Sequence, residues 1–302
     1  MRQDYRAENK DLIVNINGQL LHRDKAGVSP FDSAVQGGDA VWEGLRLYNG
    51  RIFKLEEHLA RLEDSAKALA FAHIPSADEI KTEIRRTLEA NGMRDGVHIR
   101  LTLSRGVKYT SGMDPRLNTA GATLIVLAEF KPPVYDKGGV RLITSSIRRP
   151  SPDVLDPKIH HANLIQSILA KIEANRAGVD DALMLDGRGF IAETNATHVF
   201  IVSGGIVATS RLVACPEGVT RATVLELCAA HDIAFREQDL SLTCAYRADE
   251  MFCTGTMGEL VPIVEVDGRM IGKGETGPVT RRLSELYAKL TAASGDPILG
   301  DD

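Results

Sequence analysis

The sequence predicts an α+β fold divided into two domains. Strand-like and helix-like segments come in runs, without the regular strand–helix alternation of a parallel sheet. The chain has 302 residues, enough for two domains of ordinary size, each with its own core. A stretch rich in proline and glycine, KPPVYDKGG, interrupts it. We therefore predict a small N-terminal domain over 1–130, a linker over 131–138 and a larger, β-rich C-terminal domain over 139–302.

Two β-hairpins are predicted in the N-terminal domain. The segment LIVNINGQLLHRD alternates apolar and polar residues around Asn17-Gly18. The segment LRLYNGRIFKL repeats the signal at Asn49-Gly50. Asn-Gly is the dipeptide that most readily takes the positive φ angles of a two-residue hairpin turn, so each pair predicts two antiparallel strands.

Two amphipathic helices and two further strands complete this domain. LEEHLARLEDSAKALAF repeats apolar residues every three or four positions, which is the helical spacing. SADEIKTEIRRTLEANG begins at Ser76 with Glu79 in the capping-box position and ends at Asn91-Gly92. Strand patterns follow in VHIRLTLSRG and ATLIVLAEF. The domain is therefore expected to be an antiparallel sheet flanked by helices.

The second half is more strongly β in character. Helices are predicted directly after Lys158, over GVTRATVLELCAAHD and over GPVTRRLSELYAKLTAAS. The strand patterns are VRLITSSIRR, DALMLDGRGFIAET, HVFIVSGGIVATS and DEMFCTGTMGELVPIVEVDGRMI.

Composition excludes several classes of protein. The chain is 43% hydrophobic and 25% charged, with a net charge of −5, which is typical of a soluble globular protein. Acids and bases are mixed along the chain, so no basic stripe indicates nucleic-acid binding.

The first residues lack the apolar core of a secretory signal, and no apolar run is long enough to cross a bilayer, so a cytoplasmic location without membrane attachment is expected. Four cysteines without CxxC spacing indicate neither a disulfide framework nor a metal site.

Two turns and an arginine could together bind an anionic group. Gly218 opens a helix with Thr220 in its first turn, and the positive end of a helix attracts anions. FCTGTMGEL places Thr256 among glycines at a strand end. Arg61 lies beside the apolar stripe of its helix, where a buried guanidinium would need an anion. Taken singly, such features are ordinary helix caps and a solvated arginine.

Lys158 and Glu193 stand in unusual places. Lys158 lies between a proline and two histidines, just before a periodic helix, although most such lysines are simply solvated. Glu193 follows an apolar strand and precedes Thr194-Asn195, where it would either cap a turn or serve a chemical role.

These segments, in this order, resemble the fold type IV pyridoxal-phosphate enzymes, the branched-chain and D-amino-acid aminotransferases of class IV. The resemblance runs from about residue 12 to residue 293. It implies a D-amino-acid-aminotransferase-like fold with a small N-terminal α/β domain, a pyridoxal 5'-phosphate cofactor and a homodimer or higher homo-oligomer. The motifs that carry it are GGDAVWEGLRLYNGRIFKLEEHLARLEDSAKAL, HIRLTLSRGV, PKIHHANLIQSILAKIEANRAGVDDALMLDGRGFIAETNATHVF, GVTRATVLEL and FCTGTMGELVPI.

The resemblance assigns cofactor roles residue by residue. It makes Lys158 the amine that forms the internal aldimine and Glu193 the partner of the pyridine nitrogen. The phosphate is assigned to Arg61, to Val219 and Thr220, and to Thr256. Freed by an incoming amino acid, Lys158 would move the α-proton as general base and acid in a ping-pong cycle.

Substrate contacts are implied for a second set of residues. Arg100 matches an arginine that helps bind substrate carboxylates, and Thr256 and Met257 would offer backbone N–H groups. Trp42 stands where the familiar pattern has phenylalanine, so it is either a pocket wall or ordinary core. No metal is required by this chemistry.

The position of the lysine departs from the family pattern. In many relatives the lysine stands three or four residues before the helix asparagine, whereas Lys158 stands five before Asn163. His160 stands three before it. We favour Lys158 because the only other nearby lysine, Lys171, lies well inside the helix.

Three functions follow from these alternatives. The first is transamination of an amino acid with a 2-oxo acid such as 2-oxoglutarate or pyruvate. Arg100 and the N-terminal motifs favour branched-chain-like L-amino acids slightly, whereas Leu164 and Gly37, which replace tyrosines of many relatives, favour D-amino acids. The second is a 4-amino-4-deoxychorismate lyase, which would release pyruvate without an acceptor. The third is a non-catalytic cofactor binder in which His160 replaces the lysine.

Overall fold

The computed structural model describes residues 5–132 and 138–300, which form two compact units. The N unit contains 5–132, 159–163 and 291–300, and the C unit contains 138–158 and 164–290. Most of the linker predicted over 131–138 lies outside the described residues. Two segments that the sequence assigned to the C-terminal domain thus belong to the N unit, because both pair with its sheet.

The elements are as follows. The strands are β1 (Ile13–Ile16), β2 (Gln19–His22), β3 (Ala40–Tyr48), β4 (Arg51–Ile52), β5 (Val97–Ser104), β6 (Thr123–Phe130), β7 (Val140–Arg148), β8 (Asp181–Leu185), β9 (Ile191–Thr194), β10 (His198–Ser203), β11 (Ile206–Thr209), β12 (Phe235–Glu237), β13 (Glu250–Gly255), β14 (Glu259–Val266), β15 (Arg269–Met270) and β16 (Asp296–Pro297). The helices are α1 (Ser33–Gly37), α2 (Leu55–Ala68), α3 (Ala77–Ala90), α4 (Pro152–Leu155), α5 (Ile165–Ala177), α6 (Val219–Ala230), α7 (Leu242–Tyr246) and α8 (Pro278–Ala293), with 3-10 turns at Ala7–Asn9 and Pro115–Leu117.

The N unit is built on an antiparallel sheet with the order β16-β4-β3-β5-β6-β1-β2. Both predicted hairpins are present. Asn17 and Gly18 have φ angles of 50° and 78°, and Asn49 and Gly50 have φ angles of 48° and 78°. These positive values are those of the turn that Asn-Gly favours. The α+β prediction is confirmed by this antiparallel arrangement.

Helices α2 and α3 pack their apolar faces on this sheet. Helix α3 begins with the predicted capping box, in which Ser76 and Glu79 bond each other's backbone N–H groups. The apolar stripe of α2 is buried at Leu55, Leu59, Leu62 and Ala66, together with Leu45, Ile99 and Val126 of the sheet. Full burial of one leucine side chain contributes roughly 1.5–3 kcal/mol, so this layer fixes α2 firmly beside β3.

The C unit is built on a second sheet with the order β12-β11-β10-β13-β14-β7-β8-β9, and β15 pairs with β14. Its strands are mixed in direction: β7 runs parallel to β8 and β14, whereas β10, β13 and β14 pair antiparallel. Leu142, Leu183 and Val261 are among the residues of its core. Over residues 5–132 and 138–300, no helix is long and apolar enough to cross a membrane.

The backbone around His160 belongs to the N unit through hydrogen bonds to β3. Trp42 N–H donates to the His160 carbonyl at 3.0 Å, and Ala162 N–H donates to the Ala40 carbonyl at 2.8 Å. This short ladder fixes His160 along the edge of β3 that β4 leaves open.

Candidate active site

Glu43 is the centre of a buried polar network in the N unit. Its carboxylate is fully buried. Helix α2 presents His58 and Arg61 to it, since residues three apart share a helix face. Arg61 donates from Nε to Oε1 at 2.7 Å and from Nη2 to Oε2 at 2.7 Å, and His58 Nδ1 lies 2.6 Å from Oε2. Burial alone would raise the pKa of Glu43, but the charge of Arg61 and the hydrogen bonds from the histidines hold this pKa well below its usual value.

His160 joins this network and is held from several sides. Its Nδ1 lies 3.1 Å from Oε1 of Glu43, and its backbone N–H donates to Ser65 Oγ at 3.1 Å. Its ring stacks on Trp42, with centroids 4.3 Å apart and planes 27° apart. Burial lowers the pKa of His160, and the attraction of Glu43 only partly opposes this effect. The ring is therefore neutral near pH 7.

Arg100 lies over the same indole. Its guanidinium carbon is 3.5 Å from the Trp42 ring centroid, a cation–π contact. Burial lowers the pKa of Arg100 to about 10, although Glu43 raises it. The guanidinium makes no hydrogen bond with any residue in 5–132 or 138–300, so its donors remain available for an anion.

Lys158 lies in a turn of the C unit after α4. Its side chain is 50% exposed, and Nζ is 3.4 Å from Oε1 of Glu217. Its backbone N–H donates to Asp156 Oδ1 at 3.0 Å. The Lys158 side chain is therefore half exposed beside a carboxylate.

Glu193 is buried in β9 of the C unit, so it is not a turn cap. Its carboxylate is ion-paired with the buried Arg149. Arg149 is held in turn by Ser167 Oγ, to which its Nη1 donates at 3.1 Å. A buried carboxylate fixed by a buried guanidinium stays ionised, and it can accept a hydrogen bond from a protonated ring nitrogen.

At the start of α6, a bound group could closely approach the backbone. Val219 and Thr220 form its first turn, and the N-cap Gly218 has no side-chain cap. A Cβ atom on Gly218 would lie 2.3 Å from the His198 ring, so glycine is the residue that fits there. Exposed N–H groups at a helix start favour a phosphate. Thr256 and Met257 follow β13, in the turn before β14.

The predicted site residues thus fall in both units. Trp42, Arg61 and Arg100 belong to the N unit. The others belong to the C unit: Lys158, Glu193, Val219, Thr220, Thr256 and Met257.

Sequence reasoning missed Glu43, His58 and Arg149. The signal for Glu43 was a lone acid inside the apolar strand AVWEGLRL. Its partners could have been found from the three-residue spacing of His58 and Arg61.

Comparison with known proteins identifies the family. A family model described as "Amino-transferase class IV" matches residues 40–266. The chain belongs to this family. It is 57% identical over 292 residues to the branched-chain-amino-acid aminotransferase-like protein 2 of Arabidopsis thaliana, covering 96% of this chain and 52% of the relative. The chain therefore spans about half the length of that relative.

Two other relatives are matched along almost their whole length. The putative branched-chain-amino-acid aminotransferase of Methanocaldococcus jannaschii is 39% identical over 283 residues, covering 93% of this chain and 97% of the relative. A solved structure, the branched-chain amino acid aminotransferase of Thermobaculum terrenum in its PLP form (holo form), has a TM-score of 0.84 and 28% identity. The match covers 94% of this chain and 95% of that one. The predicted family and its fold are confirmed by these matches.

Proposed function

We propose that this chain is a pyridoxal 5'-phosphate-dependent aminotransferase that exchanges an amino group between an amino acid and a 2-oxo acid such as 2-oxoglutarate or pyruvate, by a ping-pong mechanism. Branched-chain-like L-amino acids are slightly favoured as donors. The observation that carries the proposal is the buried Glu193–Arg149 pair, because such a carboxylate suits the ring nitrogen of this cofactor. The family and the PLP form of the Thermobaculum terrenum relative support it.

The residues of the C unit fit the phosphate and the ring of the cofactor. When bound, pyridoxal phosphate supplies the aldehyde and the electron-withdrawing ring that transamination needs. Glu193 would keep the ring nitrogen protonated. The N–H groups of Val219 and Thr220 would hold the phosphate, together with the Thr220 hydroxyl and Thr256. Arg61 is also proposed to contact the phosphate, although in this structure it binds Glu43.

Lys158 remains the proposed covalent anchor. Since its ammonium is paired with Glu217, Lys158 would have to leave that carboxylate and lose a proton before it could act as a nucleophile. Arg100 would bind the substrate carboxylate, and Trp42 would form a wall of the pocket. The backbone N–H groups of Thr256 and Met257 would hold the substrate from the C unit.

The test is reduction of the purified protein with borohydride in the presence of the cofactor, followed by mass mapping of the pyridoxyl label. A label on Lys158, and its loss in Lys158→Ala but not in Lys171→Ala, is the expected result. A cofactor that binds but is never trapped would reject Lys158 as the anchor and leave the non-catalytic alternative.

A substrate panel separates the reaction classes. Transfer from L-leucine or L-valine to 2-oxoglutarate supports the favoured function. Transfer from D-alanine alone supports the D-amino-acid alternative, which Leu164 and Gly37 favour. Release of pyruvate from 4-amino-4-deoxychorismate without an acceptor supports the lyase. Inactivity in all three assays rejects the proposal.

We also propose a homodimer, with a cytoplasmic location as expected for such an enzyme. The support is an apolar stripe on α5, defined by Ile165, Ile168, Leu169 and Ile172. These side chains follow helical spacing and are 41% to 67% exposed. A stripe of this kind is costly to leave in water, so a second copy of the chain is the proposed partner.

A further inference from the structure

Two buried side chains of the N unit carry nitrogen atoms without a hydrogen-bond partner. Arg46 on β3 is 6% exposed, and its Nε and Nη1 are buried without a partner among the described residues. His98 on β5 is 5% exposed, and both of its ring nitrogens are in the same state. Buried polar groups are nearly always paired, because an unpaired one costs free energy. These nitrogens are therefore open to a bound group.

The two side chains are neighbours on one face of the sheet. Arg46 and His98 stand directly opposite each other in the antiparallel pairing of β3 with β5, where Cβ atoms are about 4.5–5.5 Å apart. Leu45 and Leu47, on either side of Arg46, are buried in the core with the apolar stripe of α2. Because successive side chains of a strand point to opposite faces, Arg46 and His98 lie on the face away from α2.

Gly44 leaves room beside the histidine ring. It lies two residues before Arg46 on β3 and therefore on the same face. A Cβ atom on Gly44 would lie 3.3 Å from Nε2 of His98, so a side chain here would crowd that nitrogen. Arg100 stands directly opposite Gly44 on β5 and is only partly buried. A small molecule that reaches Arg100 from solvent thus also lies beside His98, its neighbour on this face of β5.

The charges that face His98 are mainly positive. Arg46 faces it from β3, Arg100 from β5 and Lys131 from just after β6. The acid opposite His98 on β6, Glu129, lies 3.8 Å from Lys131 and offsets its charge. Neither arginine forms an ion pair with a carboxylate of 5–132 or 138–300. This face of the sheet therefore attracts an anion and repels a metal ion.

A carboxylate suits these donors. A guanidinium presents planar, parallel N–H groups that match the two oxygens of a carboxylate. A phosphate, in contrast, is typically held by free backbone N–H groups, and the backbone of β5 is already paired with β3 and β6. A structural role explains the cluster less well, because a buried charge without a partner destabilises a fold.

We infer that Arg46 and His98 form a carboxylate site, in which His98 takes up a proton from solvent when the carboxylate binds. The proton adds to the lone pair of a ring nitrogen, and the positive ring then donates a hydrogen bond to the carboxylate. No bond of the ligand breaks. The inference rests on the proposed function, because amino acids and 2-oxo acids supply the carboxylate, and it adds a pH dependence to their binding.

The direction of this pH dependence follows from the charges. Without a ligand, burial and the charges of Lys131, Arg46 and Arg100 lower the pKa of His98 to about 3, so the ring is neutral. A bound carboxylate supplies the missing negative charge and raises this pKa. A ligand that raises a pKa binds more tightly at lower pH, by up to about tenfold per pH unit for one proton. Affinity should therefore increase as the pH falls from 8 to 5.

The first test is calorimetric titration of the full chain with 2-oxoglutarate, without an amino donor so that no amino group is transferred. Titrations in two buffers of different ionisation enthalpy give the number of protons taken up. The wild type should take up a fraction of a proton at pH 5 and less at pH 8. His98→Gln has no side chain that titrates in this range, so it should lose this uptake. No binding to the wild type, or equal uptake in the two proteins, overturns the inference.

The second readout is ¹⁵N-histidine NMR, with His98 assigned from the signal missing in His98→Gln. At pH 5 we expect a neutral ring in the free protein and an imidazolium after addition of 2-oxoglutarate. A ring that is neutral in both states, or charged in both, overturns the inference. This measurement does not depend on turnover.

Affinities of further variants test the geometry. Arg46→Gln should bind 2-oxoglutarate about tenfold more weakly or worse, because it removes the charge of the site. Gly44→Ala should also bind it more weakly, since the methyl group crowds Nε2 of His98. Arg116→Gln removes an exposed arginine of the same unit and should match the wild type. Unchanged affinity in Arg46→Gln overturns the inference.

The remaining controls separate the possible failures. Binding of 2-oxoglutarate with proton uptake at His98, in a protein without transaminase activity, rejects the proposed function but supports the carboxylate site. Inorganic phosphate is the comparison probe, and phosphate that binds more tightly than 2-oxoglutarate and is lost in Arg46→Gln overturns the choice of a carboxylate. If circular dichroism shows that His98→Gln does not fold, His98→Phe replaces it, since phenylalanine cannot titrate either.

Discussion

Arg61 binds both carboxylate oxygens of Glu43, with two parallel hydrogen bonds of 2.7 Å. The carboxylate is fully buried and the arginine side chain is 13% exposed. This pair joins α2 to β3 and fixes the position of the histidines on either side. The pair mainly affects the stability of the fold, because the removal of one partner leaves the other charge buried without compensation.

Arg61→Met should therefore destabilise the protein by about 3–5 kcal/mol, the usual cost of breaking a buried pair. Urea unfolding, followed by circular dichroism, measures this loss. Arg116→Met is the matched control, since Arg116 pairs with Asp114 at the exposed surface and its loss should change the stability far less. If both variants lost the same free energy of unfolding, the Arg61–Glu43 pair would contribute no more to stability than an exposed ion pair.

His98 should make the fold sensitive to acid. It is buried on β5 with both ring nitrogens unpaired among the described residues. Burial, reinforced by Lys131, Arg46 and Arg100, lowers the pKa of His98 to about 3 from its usual 6.5. Between these values the unfolded chain binds a proton that the folded chain does not. Stability therefore falls as pH drops below 6.5, by up to about 1.4 kcal/mol per pH unit.

The measurement is the free energy of unfolding of wild type and His98→Leu at pH 7, 6 and 5. The variant should lose less stability over this range than the wild type. His73→Asn, at an exposed position, should keep the wild-type slope. Parallel slopes for wild type and His98→Leu would mean that His98 is protonated in the folded state.

Much of the fold could be predicted because its signals are local. Asn-Gly turns and a capping box act within a few residues, so β1, β2 and α3 were found from the sequence. Strand β16 could not be found in this way, because a two-residue strand has no periodicity and its partner β4 is far away in sequence. The assignment of 159–163 to the N unit was missed for the same reason.

The site was predictable only in part. Several motifs and their order identified the family by resemblance, and Glu193 was singled out as an acid in an unexpected place. The sequence raised the choice between Lys158 and His160 but could not decide which of them is buried, because that depends on the hydrogen bonds that hold His160 against β3. Local sequence distinguishes a lysine from a histidine, but it does not tell which of two neighbours is buried.

Gly218→Ala tests the proposed phosphate site at the start of α6 in the C unit. The new Cβ would lie 2.3 Å from the His198 ring, so the start of α6 would have to move. We expect at least a tenfold loss of affinity for pyridoxal phosphate, measured by quenching of intrinsic fluorescence. Gly187→Ala is the control, because a Cβ there meets nothing within 4 Å. Unchanged affinity in Gly218→Ala would show that the phosphate does not bind at α6.

The apolar stripe on α5 provides the test of assembly. A second copy that covers Ile168 and Leu169 removes them from water, so the double change Ile168→Ser and Leu169→Ser should weaken the dimer without disturbing the fold, since both side chains are already exposed in one chain. Sedimentation equilibrium should show a dimer for the wild type and an increased dissociation constant for the double variant. Val154→Ser, which is more exposed and lies outside α5, should behave as wild type. A monomeric wild type, or a double variant that dimerises as strongly, would mean that α5 has a different partner.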